Sequence, residues 1–255
     1  MEELKAGALT AARIGRGRDL VFVHSLLTDR HAFDPVMPGL TTRFRVTLPN
    51  LPGFHGAKPV AASIEAYAEW LRQVFIAFEI GRDVVLLGNG FGGTVALAFA
   101  IAYPGRIAKL VLADVAPGFP EAGKQAFRVM AAKVEEGGMG AITEIAANRV
   151  FHATYLVAHP GAIEERRAVL LKIHPGAFRA ACASLVDADL MPQLDTLTVP
   201  TLVVYGALDQ ATPPALNQVI SSRVPGARHV ELAGCGHCPP LEQPKAFLAA
   251  INAFL

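Results

Sequence analysis

A chain of 255 residues that is 52% hydrophobic and 18% charged can bury a large core, which excludes a disordered or low-complexity protein. Its length fits one α/β domain or two small ones. A formal net charge of +1 supplies no global field for nucleic acid, membrane surface or polyanion. The expected partner is therefore a small-molecule substrate, not nucleic acid or membrane, bound by a monomer or homodimer.

Residues 1–5 lack a basic region followed by an apolar run, so no signal peptide is expected. Residues 8–14 read as an antiparallel edge strand. Residues 20–24 form a short β-branched apolar run, the pattern of a strand buried on both faces, and residues 45–48, 84–87, 110–112, 201–205 and 229–232 follow. Helical patterns lie between them at 64–78, 91–103, 215–224 and 245–255. Strands alternating with helices imply a mostly parallel, twisted sheet with helices on both faces and right-handed crossovers.

The alternation breaks once. Residues 117–199 show no buried-strand pattern and read as helices at 125–136, 141–153, 161–172 and 177–188, punctuated by Gly137-Gly138, Pro160 and Pro175-Gly176. The expectation is a core of residues 1–116 and 200–255 with a helical lid, 117–199, over the carboxyl ends of the strands. No run approaches roughly 18 uninterrupted apolar residues, so no membrane span is expected. Cys182, Cys235 and Cys238 are a sparse, odd set. Cys235-Gly236-His237-Cys238 has no second ligand pair to complete the roughly four ligands of zinc. A reduced, cytoplasmic protein without metal or cofactor is expected.

Four features carry chemistry. Gly88-Asn89-Gly90-Phe91-Gly92 lies between a buried strand and a helix, the setting of the G-x-S-x-G nucleophile elbow, with glycine where that motif has serine. Residues 201–209 are a strand ending in an acidic loop at Asp209. Gly234-Cys235-Gly236-His237 is a glycine-rich loop after the next strand. His24-Ser25-Leu26 closes an earlier strand, where a loop can offer backbone N–H groups. The chain order of nucleophile position, acid and base matches the α/β-hydrolase arrangement.

On these residues the chain resembles an α/β-hydrolase from end to end. Within that superfamily it is similar to the 3-oxoadipate enol-lactonase group, through residues 24–29, 180–190 and 199–214. Arg149-Val150-Phe151 sits where that group tends to carry Arg-Trp-Phe. The resemblance implies a hydrolase for a small ester or enol-lactone, with Gly90 at the nucleophile position. His237 is the expected base and Asp209 the acid that orients it, with Asp114 as the other candidate acid. Phe91 and the Ser25–Leu26 loop would supply oxyanion N–H groups. Arg149 and Phe151 are expected to face substrate, with Arg149 toward a carboxylate. His55 and His152 read as structural or substrate-facing. Ser25 lies on the wrong strand to be the elbow nucleophile.

Glycine relaxes a turn that costs other residues about 1–3 kcal/mol. It fits either a serine removed by substitution or a protein that no longer uses one. Three activities remain open: hydrolysis, with water in the serine's place; proton transfer by His237 in a lyase, isomerase or cofactor-free oxygenase; and ligand binding without catalysis. A water or small anion is expected in the space beside Gly90.

Overall fold

Period-two alternation divides the apolar residues of the central strands between two cores. In β3 (Arg18–Val23), Leu20 and Phe22 enter one core and Val21 and Val23 the other. Leu86 of β5 (Val85–Asn89), Leu110 and Leu112 of β6 (Lys109–Ala113) and Val203 and Tyr205 of β7 (Thr201–Gly206) join Val21; their immediate neighbours join Leu20. The computed structural model, which describes residues 1–255, joins these strands to β1 (Glu2–Ala6), β2 (Leu9–Gly15), β4 (Phe44–Pro49) and β8 (Arg228–Leu232) in one sheet. Its order is β1-β2-β4-β3-β5-β6-β7-β8. Pairing is parallel from β4 to β8, and β1 and β2 are antiparallel additions.

Helices α1 (Ile64–Ala77), α2 (Phe91–Ala102) and α8 (Pro214–Arg223) cover one face; a 3₁₀ helix (Arg30–Gly39) and α10 (Pro244–Asn252) cover the other. Ser63 caps α1 by accepting the Ala66 N–H, and its stripe of Ile64, Tyr67, Ala68, Leu71, Val74 and Phe75 faces the core. Between β6 and β7 come α3 (Glu121–Gly137), α4 (Thr143–Val150), α5 (Ala153–Ala158), α6 (Ala162–Leu170) and α7 (Pro175–Asp187). The two ends of this helical segment are stitched together by a Gly118–Asp189 bridge and by the Leu190 N–H donating to Pro117 O at 2.7 Å. A short α9 (Pro239–Glu242) follows β8. No single helix is long and apolar enough to cross a membrane.

Three elements differ from the sequence reading. Residues 8–14 are a strand but not the edge, because β1 pairs outside β2 through a two-residue turn at Gly7, φ +59°. β1 escapes sequence reading because its Glu-Glu-Leu-Lys-Ala alternation carries little apolar residue content. The expected helix at 141–153 is broken, because Phe151 is extended and the His152 side chain caps α5 by accepting the Thr154 N–H. α7 starts two residues early, with Pro175 in its first turn and His174 as cap.

Candidate active site

The turn from β5 into α2 is built around contacts too close for side chains. A β-carbon on Gly92 would fall 2.2 Å from Val23 O, one on Gly88 2.3 Å from Gly92 O, and one on Gly93 2.1 Å from a Val115 methyl. Gly90 adopts φ +53°, ψ −122°, a conformation open chiefly to glycine. The turn thereby aims Gly90 across the carboxyl edge of the sheet. A β-carbon on Gly90 would lie 2.8 Å from His237 Nε2 and 2.3 Å from Ser25 Oγ. The space that the sequence reading leaves to solvent is therefore shared by an imidazole and a hydroxyl.

His237 reaches this point because its loop is clamped. The Glu242 carboxylate accepts the N–H groups of Gly236 (3.0 Å), Cys238 (3.2 Å) and His152 (3.2 Å), and the Asn89 side-chain amide donates to His237 O at 3.1 Å. His237 Nδ1–H donates to Asp209 Oδ2 at 2.9 Å. Asp209 Oδ1 accepts the N–H groups of Ala211 and Thr212, and Oδ2 also accepts the Thr212 hydroxyl at 2.5 Å. Burial alone would raise the Asp209 carboxyl; the charge and hydrogen bond of His237, with the Thr212 donors, hold it well below the usual carboxylate range.

Asp114, after β6, stands behind this pair with φ +52°. Its Oδ1 accepts the Gly206 N–H at 2.9 Å and its buried Oδ2 has no partner. Burial, then the neighbouring Asp209 charge, push its carboxyl well above the ordinary carboxylate value, which favours its neutral form. Asp114, Asp209 and His237 bring one ligand atom each within 4.8 Å. The His237 Nδ1–H and the Thr212 donors occupy Asp209, so hydrogen bonding accounts for this cluster without a metal.

Phe91 and Leu26, which line the same cavity as His237, each carry an uncommitted backbone donor. The Phe91 N–H belongs to the first turn of α2, where no acceptor within the helix is available. The Leu26 N–H donates to no backbone acceptor. His24 fixes this loop: its Nδ1–H donates to Ser25 O at 2.9 Å and its Nε2 accepts the Leu51 N–H at 3.1 Å. Burial pushes His24 down to about 4, so it is a neutral spacer with one defined tautomer.

Ser25, Leu26, Gly90, Phe91 and His237 line a cavity of about 30 Å³ closed by Phe119, Phe127, Arg149 and Leu185, room for about one or two water molecules. Arg149, on α4, is half-buried, rests its guanidinium 5.4 Å from the Phe127 ring and has no protein carboxylate within ion-pair distance. A buried oxyanion site, an oriented imidazole and a cation without a protein carboxylate partner suit attack on a carbonyl beside an acidic group.

Residues 20–250 match a sequence model described as the alpha/beta hydrolase family. The chain belongs to that family. It is 29% identical to the pimeloyl-[acyl-carrier protein] methyl ester esterase of Aeromonas hydrophila, over 97% of this chain and 99% of that one. It is likewise 29% identical to the 3-oxoadipate enol-lactonase 2 of Acinetobacter baylyi, over 69% of this chain and 70% of that one. A solved thermophilic esterase from Thermogutta terrifontis, described as malate bound, superposes with a TM-score of 0.88 at 31% identity, covering 96% of this chain and 92% of that one.

Within the family fold, some residues expected at the site lie elsewhere. Phe151 does not line the central cavity. It stacks on Tyr155 (4.6 Å, 22°) under the Arg166 guanidinium, beside a separate recess of about 90 Å³ that His237 also borders. The break after α4 turns its ring away. His55 pairs with Asp29 at 3.2 Å, and burial, which would raise Asp29, is outweighed by that bond and nearby histidines, holding Asp29 at about 2. The three cysteines are buried free thiols, and burial pushes Cys182 up to about 12. Sequence reasoning missed Thr212, Asn89 and Glu242. Thr212 follows Asp209 at the spacing of a capping turn, which was a usable signal. Glu242, in a Pro-Pro-Leu-Glu turn, offered none.

Proposed function

We propose that this chain hydrolyses small carboxylic esters or enol-lactones whose acyl portion carries a carboxylate. The observation that carries this reading is His237 Nε2, directed at the point where a residue-90 side chain would begin and held from behind by Asp209. His237 takes a proton from an attacking oxygen, and Asp209 stabilises the imidazolium that results. The N–H groups of Phe91 and Leu26 receive the charge that develops on the carbonyl oxygen. The imidazolium then returns its proton to the departing alkoxide or enolate. Gly90 occupies the place where the family motif has its serine, so the attacking oxygen comes from another source.

The methyl ester and the enol-lactone of the two relatives share an acyl carbonyl, which is why the reading is set at that class. Arg149 is assigned to the substrate carboxylate because it lines the cavity without an acidic partner. Residues 117–199, with α3 to α7, act as the lid on a core of 1–116 and 200–255. Movement of that lid would widen the cavity of about 30 Å³ for substrate entry.

A panel pairing each neutral ester with a carboxylate-bearing analogue, plus an enol-lactone, tests the reading. The carboxylate-bearing members are expected to be turned over with the lower KM. Arg149→Ala should raise KM for them about 10-fold to 100-fold and leave the neutral members unchanged, the size of a lost charged hydrogen bond. Equal losses on both sets would remove Arg149 from recognition, and no turnover of any member would remove the hydrolase reading.

A further inference from the structure

Ser25 brings a hydroxyl beside the point where an elbow side chain would begin. Its Oγ is 2.3 Å and its β-carbon 3.0 Å from where a β-carbon on residue 90 would stand, and His237 Nε2 is 2.8 Å from the same point. The hydroxyl and the imidazole nitrogen thus both border volume that a glycine at 90 leaves free. Ser25 is buried, lines the cavity, and its hydroxyl is committed to no hydrogen bond within the protein. Its backbone is held firmly: Ser25 O accepts from His24 Nδ1 at 2.9 Å and from the Thr28 N–H at 3.4 Å.

We propose that Ser25 Oγ is the nucleophile of this protein, so that the β3 loop and the elbow have exchanged roles. The proposal rests on the ester hydrolase reading and names its attacking atom. The oxyanion geometry survives the exchange. In an elbow, the residue after the nucleophile gives one N–H to the oxyanion and a loop on a neighbouring strand gives the other. Here Leu26 follows Ser25 and Phe91 lies on the neighbouring strand's turn, so the same two N–H groups serve with their origins swapped.

The steps balance without a further reactant beyond water. Ser25 Oγ bonds to the carbonyl carbon as its proton passes to His237 Nε2, and the carbonyl π pair moves onto the oxygen between Leu26 and Phe91. Collapse of this intermediate breaks the bond to the leaving oxygen, which takes the proton from His237, and leaves an acyl ester on Ser25. Water then attacks, giving its proton to His237. The Ser25 oxygen departs with that proton as the acid is released.

Diisopropyl fluorophosphate on the intact chain, read by mass spectrometry and peptide mapping, tests this alongside turnover of a p-nitrophenyl ester. One diisopropylphosphoryl group is expected on Ser25, absent in Ser25→Ala and much slowed in His237→Ala. Ser25→Ala should lower kcat by about 10³-fold or more. Ser25→Cys should retain measurable acyl transfer and become sensitive to iodoacetamide, which a packing role for Ser25 would not produce. Gly90→Ser drives a β-carbon into the Ser25 hydroxyl and should move the label from Ser25 to residue 90. Label on any other residue, or turnover unchanged in Ser25→Ala, overturns the proposal; the latter makes water the nucleophile and leaves the hydrolase reading standing. Stoichiometric His237-dependent labelling of Ser25 with no ester turned over upholds it and ends the hydrolase reading instead. Neither label nor turnover ends both.

Discussion

Asp209→Asn should lower kcat by about 10⁴-fold with little change in KM, the loss seen when a triad carboxylate becomes an amide. The cause is the tautomer. Asp209 Oδ2 accepts the Nδ1–H of His237, which leaves Nε2 with a lone pair facing Ser25 and Gly90. An asparagine keeps one oxygen for the N–H groups of Ala211 and Thr212, so the loop stays folded. Its NH₂ then meets Nδ1 and moves the imidazole proton to Nε2, where no proton can be accepted.

Asp114 makes this loss depend on pH. Burial first, and then the Asp209 charge, favour the protonated form of Asp114 beside the pair, with Oδ2 unpartnered. Removing the Asp209 charge removes the largest cause after burial and lets Asp114 ionise at lower pH, within reach of the same imidazole. Activity of Asp209→Asn should therefore climb with pH more steeply than that of the parent, and Asp209→Asn/Asp114→Asn should lose that climb. A flat residual activity across pH 6 to 9 in both variants would show that Asp114 takes no part. Stopped-flow or steady-state kcat profiles decide it.

The parts of this site that sequence made legible are those written in local chain geometry. Gly88, Gly90, Gly92 and Gly93 are legible because a strand turning at once into a helix packs so closely that a β-carbon at any of them would fall 2.1–2.3 Å from a neighbouring atom. Asp209 and His237 are legible because each follows a buried strand in a parallel sheet, whose carboxyl edge collects functional loops. Strand alternation is equally visible, since every second residue of β3, β5, β6 and β7 enters a different core.

What sequence did not make legible depends on distance in the chain. Ser25 lies 65 positions from Gly90, and only the packing of β3 against β5 sets its hydroxyl beside the missing side chain. The sequence reading sets Ser25 aside as a nucleophile because it follows β3 and not the elbow strand, and its proximity to Gly90 is set by packing alone. Glu242 clamps the His237 loop through three backbone N–H groups, a role defined by geometry with no signature in residue type. Phe151 was placed by its neighbours in sequence, whereas its own extended backbone at the end of α4 goes with a ring beside the separate recess that Arg149 and His237 also border.

His24 should make folding stability rise with pH between about 4 and 6.5. Its folded-state value lies near 4 because burial disfavours the cation, against an ordinary 6.5, so the unfolded chain binds more protons across that window. The full contribution is present above about 6.5 and is lost as pH falls toward 4, amounting to about 3 kcal/mol for a shift of this size. Asp114 tilts the other way, because a folded state that keeps its carboxyl protonated loses stability as pH rises above the ordinary carboxylate value. The two contributions overlap, so the informative quantity is the difference between the parent and His24→Gln in urea unfolding at pH 7, 6, 5 and 4. That difference should be largest at pH 7, where the neutral imidazole bridges Ser25 O and the Leu51 N–H, and should shrink steadily in acid. A difference constant from pH 7 to 4 would mean that His24 does not titrate on unfolding. Protonating His24 also removes the lone pair that accepts the Leu51 N–H, which frees the loop carrying Ser25 and Leu26. In the folded protein this protonation comes only as pH approaches about 4, so ester turnover in the parent should show a loss there, at the acid end of the range over which stability falls, that is missing in His24→Gln, which has nothing to protonate at that position.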